Sequence, residues 1–224
     1  MTVSAFDANV FLEPVLLSLR VSLVASVLVF ALGVLAAWRM TRKTFRGRTL
    51  LDTLFMLPLV LPPTVIGFIL LVGVGRKSQF GLLIEAWFGQ TIVFTWWGAV
   101  LAAVVMAFPL VYQTAKVGFI SVDKQVADAA RSDGAAEGQV FLYITLPLAA
   151  RSLFTAFLLG FARALGEFGA TLMVAGNIPG RTQTVPTAIY IAVESGNLAW
   201  AWYWTGAIIL ISFLVLTVVN RKVA

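Results

Sequence analysis

The chain has 224 residues, 60% of them hydrophobic and 12% charged, with a mean hydropathy of +0.95, which places it outside the range of water-soluble domains. It contains neither cysteine nor histidine, which excludes disulfides and thiolate metal sites and removes the commonest general base and metal ligand. The net charge of +6 does not point to nucleic acid, because the basic residues cluster in short loops between apolar runs, where they set membrane orientation.

A membrane-crossing helix needs about 20 mostly apolar residues. Five stretches qualify, at about 15–37, 50–74, 92–112, 152–175 and 199–220, so the expected fold is an all-α integral membrane protein occupying 1–224 as a single domain. Arg20, the first basic residue, already lies inside the first run with no charged region before it, so no cleaved signal peptide is expected. Its long side chain can snorkel to the membrane surface. The second run carries Pro58, Pro62 and Pro63, each of which removes a backbone donor and bends or breaks a helix. A break at membrane depth is tolerated where protein or a water-filled cavity satisfies the freed carbonyls. Pro62 and Pro63 therefore mark either a pathway or moving joint, or a static kink. Pro109 poses the same question more mildly in the third run.

Residues 76–91 include an apolar stretch too short to cross, suited either to lying on the membrane surface or to packing on the bundle. The fourth run, SLFTAFLLGFARALGEFGATLMVAG, holds Arg163 and Glu167, the charges that fall within a span and are four residues apart. Such charges face the bundle interior or a water-filled path. Two readings stand: a purely structural ion pair, or a pathway or gate element. Small residues at 156, 160 and 164 and at 162, 166 and 170 recur every fourth position, which places this helix centrally. Residues 176–198 start with a turn-rich stretch and continue with VPTAIYIAV, expected to fold back on the bundle.

Basic residues orient the chain. Five lie in 38–48, four in 113–151 and two near the C-terminus, against Arg76, Lys77 and Arg181 on the opposite side. The N-terminus is therefore expected outside and the C-terminus inside. Trp87, Trp96, Trp97, Trp200, Trp202 and Trp204 fall at the expected outer interface.

The 113–151 connection is long for a link between spans. It reads as two short helices, the first capped by Ser121 with Asp123 beside it, carrying a small apolar face of Val126, Ala129 and Ala130, and ended by Gly134. Glu137 to Thr145 resumes the helix, and Leu146-Pro147 turns the chain into the fourth span.

Asp128, Ala129, Ala130, Gly134, Ile144, Leu146 and Pro147 resemble, in type and spacing, the cytoplasmic EAA-x3-G-x9-I-x-LP motif of bacterial ABC importer permease subunits, with Asp128 where Glu is usual. The stretches PLVLPPTVIGFILL, FARALGEFGAT and NIPGRTQTVPTAIY are similar to molybdate permeases of the molybdate/sulfate permease family, and the likeness covers nearly the whole chain. This resemblance implies a coupling segment at about 121–147 with a docking helix at 122–134. It also implies a homodimer bound to two cytoplasmic ABC ATPase subunits, an external oxyanion-binding protein, and a place in the bacterial inner membrane. Sulfate, thiosulfate or tungstate permease subunits are the near alternatives. A stand-alone channel or secondary transporter using Arg163 and Glu167 is the alternative of another class.

The sequence has no GxxxxGK[ST] phosphate loop, so ATP and Mg belong to a partner ATPase, and no cofactor or metal is expected on this chain. An enzyme is disfavoured: the five lysines lie in loops or at the terminus, and Asp52 stands at the edge of its span.

Overall fold

The computed structural model describes residues 7–42 and 45–223, and all regular structure among them is helical. In chain order the helices are α1 (Ala8–Arg42), α2 (Arg48–Val60), α3 (Pro63–Val74), α4 (Gln79–Phe88), α5 (Trp96–Ile120), α6 (Lys124–Ser132) and α7 (Glu137–Val140). A π-helical turn at Phe141–Thr145 then leads to α8 (Leu146–Leu148), α9 (Ala150–Leu165), α10 (Gly169–Ala175), α11 (Val185–Glu194) and α12 (Leu198–Val223). Three of these, α1, α5 and α12, are long and apolar enough to cross a membrane, and two bent pairs raise the number to five.

The core is a three-helix contact of α1, α5 and α9, made close by small residues. A Cβ at Gly33 would stand 2.8 Å from one methyl of Val111, and a Cβ at Gly160 would stand 2.6 Å from the other. Val29, Ala107, Val111 and Ala156 fill this meeting point and are completely buried. The row 156, 160, 164 thus faces inward, as its spacing requires.

One end of the bundle gathers Met40 of α1, Tyr112 and Phe119 of α5, and Leu153 of α9. We call it the basic end, because Arg42, Arg48 and Lys116 belong to it. The opposite, tryptophan end joins Val15 of α1 to Trp200 and Trp204 of α12 and to α11. Trp204 donates its indole N–H to the Phe11 carbonyl at 3.2 Å, so this indole is held by protein. Arg20 lies 5.8 Å from the centre of the Trp96 ring, a cation–π contact.

α11 packs back on the bundle as its short apolar run predicts. Val185, Ala188 and Ala192 are buried, and the Val185 amide donates to Ser18 Oγ of α1 at 2.7 Å. α4 is a surface helix that leaves Phe80 and Trp87 largely exposed. Its N-cap Ser78 accepts from the Gly81 amide at 2.8 Å.

Two features depart from the sequence expectation. The fourth span is not one helix: α9 ends at Leu165 and α10 starts at Gly169, with Glu167 in the break. The first short helix is capped not by Ser121 but by Asp123, whose carboxylate accepts from the Gln125 amide at 2.9 Å. α5 runs on to Ile120 and takes Ser121 as its own C-cap, with Ser121 Oγ donating to the Gly118 carbonyl at 2.8 Å.

Candidate functional site

The residues that resemble the EAA motif lie at the basic end. α6 is polar outside and touches the bundle mainly through Ala127, which is buried, while Val126, Asp128 and Ala129 are exposed and Ala130 is half-buried. The motif alanine at 129 therefore faces away from the bundle, and Ala127 supplies the inward contact. Gly134 adopts φ +91°, the left-handed backbone that ends helices and that glycine takes without steric cost. The Ala136 amide then donates to Gln139 Oε1 at 2.8 Å, starting α7. Ile144 is half-buried in the π turn, Leu146 packs against the basic-end core, and Pro147 is exposed in α8. The chain bends by 73° between this segment and α9, so Leu146-Pro147 precede a sharp corner.

An ionic network that spacing alone does not show lashes α6 to the bundle. Arg131 pairs with Asp128 on its own helix and with Glu137 Oε1 at 2.8 Å, and Glu137 in turn pairs with Arg42 at the end of α1. Arg42 also lies 5.0 Å from the Trp38 ring centre. These groups border a cavity of about 390 Å³ between α1, α6 and α7. The side chains of Asp128 and Glu137 are 68% and 52% exposed, so each pair is weak singly and the network counts as a set.

The second constellation lies where the α2–α3 break meets the α9–α10 break, with Pro62 and Pro63 exposed and Glu167 buried. α2 and α3 form an angle of 113° at Leu61-Pro62, with Pro62 as N-cap and Pro63 as the first helical residue of α3. A side chain at Gly169, the first residue of α10, would stand 3.0 Å from Pro63 Cβ, and one at Gly67 would stand 2.7 Å from Met173 Cβ. α3 and α10 therefore pack backbone to backbone. At the α10 break, Glu167 is 3% exposed and uses both carboxylate oxygens: Oε1 accepts from the Ala170 amide at 3.0 Å and Oε2 from Arg163 Nη1 at 2.7 Å. The carboxylate thus caps α10 while neutralising a partly buried guanidinium, whose side chain is 29% exposed. Pro63 thus meets α10 two residues after Glu167, and the Arg163–Glu167 pairing survives although the helix does not continue through it.

A third group was not visible in the sequence. Asp52 of α2 accepts from the Tyr112 hydroxyl and pairs with Lys116 Nζ at 2.6 Å, both on α5. Lys116 lies 5.4 Å from the Tyr112 ring centre. This trio anchors the basic-end half of the broken α2–α3 pair to the uninterrupted α5. Sixty residues separate its partners, and the one available signal was an aspartate at a span edge. No group of three or more metal-ligating side chains occurs among the described residues.

The chain is similar to known transport proteins. YvgM of Bacillus subtilis (strain 168), described provisionally as a molybdenum transport system permease protein, is 54% identical over 98% of this chain and 96% of its own length. The molybdenum transport system permease protein ModB of Escherichia coli (strain K12) is 46% identical over 82% of this chain and 80% of its own. Among solved structures, an inward-facing MetNI methionine ABC transporter gives a TM-score of 0.73 over 97% of this chain and 98% of that one; at 15% identity this likeness is one of fold. Residues 30–222 match the family model described as the inner membrane component of binding-protein-dependent transport systems, and the chain belongs to that family of multi-pass transport subunits, which are not enzymes.

Proposed function

We propose that the whole chain acts as the transmembrane permease subunit of an ATP-driven importer of molybdate or a related tetrahedral oxyanion. It would work as a homodimer with two cytoplasmic ABC ATPase subunits and receive its cargo from an external binding protein. The basic end is cytoplasmic in this reading, which puts the N-terminus outside and the C-terminus inside. The observation that carries it is the exposed α6, which presents Asp128 and Ala129 away from the bundle while the Arg131–Glu137–Arg42 network ties it to α1. The relatives named for molybdenum transport support the cargo. Closure of the ATPase dimer would push on α6, and the push would reach α1 through that network and α9 through the 73° corner. Pro62, Pro63, Arg163 and Glu167 sit where the two broken helices meet and form the candidate gate or pathway element.

The test is ATPase stimulation and anion uptake in proteoliposomes holding the permease, its ATPase and its binding protein. Molybdate should stimulate more than sulfate. Equal responses would undo the cargo assignment, and uptake that follows membrane potential without ATP would undo the importer reading.

A further inference from the structure

α5 is the most enclosed of the long helices, yet one face of its basic end lies bare. Gln113, Val117 and Ile120 occupy that face at helical spacing, with Val117 and Ile120 56% and 63% exposed. Gln113 is exposed, and its carboxamide has no hydrogen-bond partner among the described residues. It stands seven residues before the end of α5, about 10 Å below it at the α-helical rise. An unpaired carboxamide is disfavoured against hydrocarbon, so the face suits water or another polar surface.

The neighbourhood agrees. Gln113, Thr114 and Val117 of α5 and Ser152 and Thr155 of α9 line a depression of about 280 Å³. Gly118 makes it possible, because a Cβ there would stand 2.5 Å from Ser152 Cβ and force the two helices apart. Thr114 and Thr155 donate their hydroxyl protons to the Leu110 and Arg151 carbonyls at 2.8 and 3.0 Å, which leaves their oxygens as acceptors. The Gln113 amide and the Ser152 hydroxyl supply donors, and the exposed Arg151 lies one turn before Thr155. Such a mixed wall holds water well and an anion weakly, and passage requires a site that binds no more tightly than it can release.

We propose that Gln113, Thr114, Ser152 and Thr155 form a water-facing strip that lines the mouth of the oxyanion path at the basic end of the bundle. This rests on the importer reading above. The chain has no cysteine, so each variant adds a single thiol to this subunit, and the transporter holding the cysteine-free parent chain sets the background of its partners. The assembled transporter carrying Q113C, T155C or, as a lipid-facing control on α12, F213C is treated in inverted membrane vesicles with a membrane-impermeant methanethiosulfonate. Molybdate uptake by the cysteine-free parent is measured separately, so that a failed importer reading is distinguished from a failed strip. Q113C and T155C should react about tenfold faster than F213C, as water access demands. Trapping the ATPase with ATP and vanadate should slow both. Reaction at Q113C and T155C no faster than at F213C would overturn the proposal. So would a spontaneous Q113C-linked dimer that excludes the reagent, which would mark the face as a subunit seam.

Discussion

Replacing Glu167 separates its two jobs. E167Q keeps one oxygen to accept from the Ala170 amide but removes the charge opposite Arg163, which now pairs at 2.7 Å. Breaking a buried pair by removing one partner costs roughly 3–5 kcal/mol, and because Arg163 is 29% exposed its stranded charge keeps some hydration, so the loss should be near the lower bound, about 3 kcal/mol. E167A also deletes the cap, adding about 1 kcal/mol. In the double variant R163M/E167Q the unpaired charge disappears while the apolar stem remains, and most of the loss should be recovered. Thermal unfolding of the assembled transporter in one detergent ranks the four proteins, and molybdate uptake by R163M/E167Q then tests function apart from stability. If E167Q is as stable as the parent, or if the double variant is worse than E167Q, the reasoning from the buried pair is wrong. A stable double variant with full uptake would make the pair purely structural and remove it from the candidate pathway.

Gly160→Ala should destabilise the parent by about 1 kcal/mol, as a methyl forced onto Val111 outweighs the gain in helix propensity, yet should stabilise a V111A background, where that methyl is gone; additive melting shifts would refute the close contact. Ala129→Trp should leave the melting temperature within about 2 °C of the parent, because the position is exposed, but should abolish co-purification with the ATPase. Loss of folding instead would mean that Ala129 faces the bundle. Ser18→Ala strands the buried Val185 amide, which costs about 1–3 kcal/mol, and should raise hydrogen exchange at the start of α11 specifically. Unchanged exchange there would show that Ser18 does not hold α11.

The break at Pro62-Pro63 was legible because proline announces itself, and the end of α6 was legible because Gly134 does. The second break was not. GEFGAT reads as the continuation of an apolar helix, and what stops it is a carboxylate that takes the Ala170 amide three residues ahead, a local bond that competes with the helix it interrupts. Glycines at 166 and 169 on either side of that glutamate were the available hint. The sequence offers Ser121 as the cap and Asp123 as a charge beside it; the cap falls to Asp123 because α5 runs about two turns beyond the expected span end at 112 and takes Ser121 as its own C-cap. The Asp52–Lys116–Tyr112 trio and the Arg42–Glu137 pair join positions 60 to 95 residues apart, which no local pattern can encode.

The two breaks divide the bundle into storeys, with α1 and α5 as uninterrupted masts and α2 and α9 standing below α3 and α10. The joint at Pro62-Pro63 interrupts the helix without stranding an amide at either proline, since neither nitrogen carries a proton, and both rings fix the local backbone. The joint at Glu167 is held by side chains instead, bolted by the bond to Ala170 and the charge of Arg163. The molecule therefore sets a corner fixed by its backbone beside one fixed by side chains, and any tilt of the upper storey against the lower must either spare the bolt or draw it.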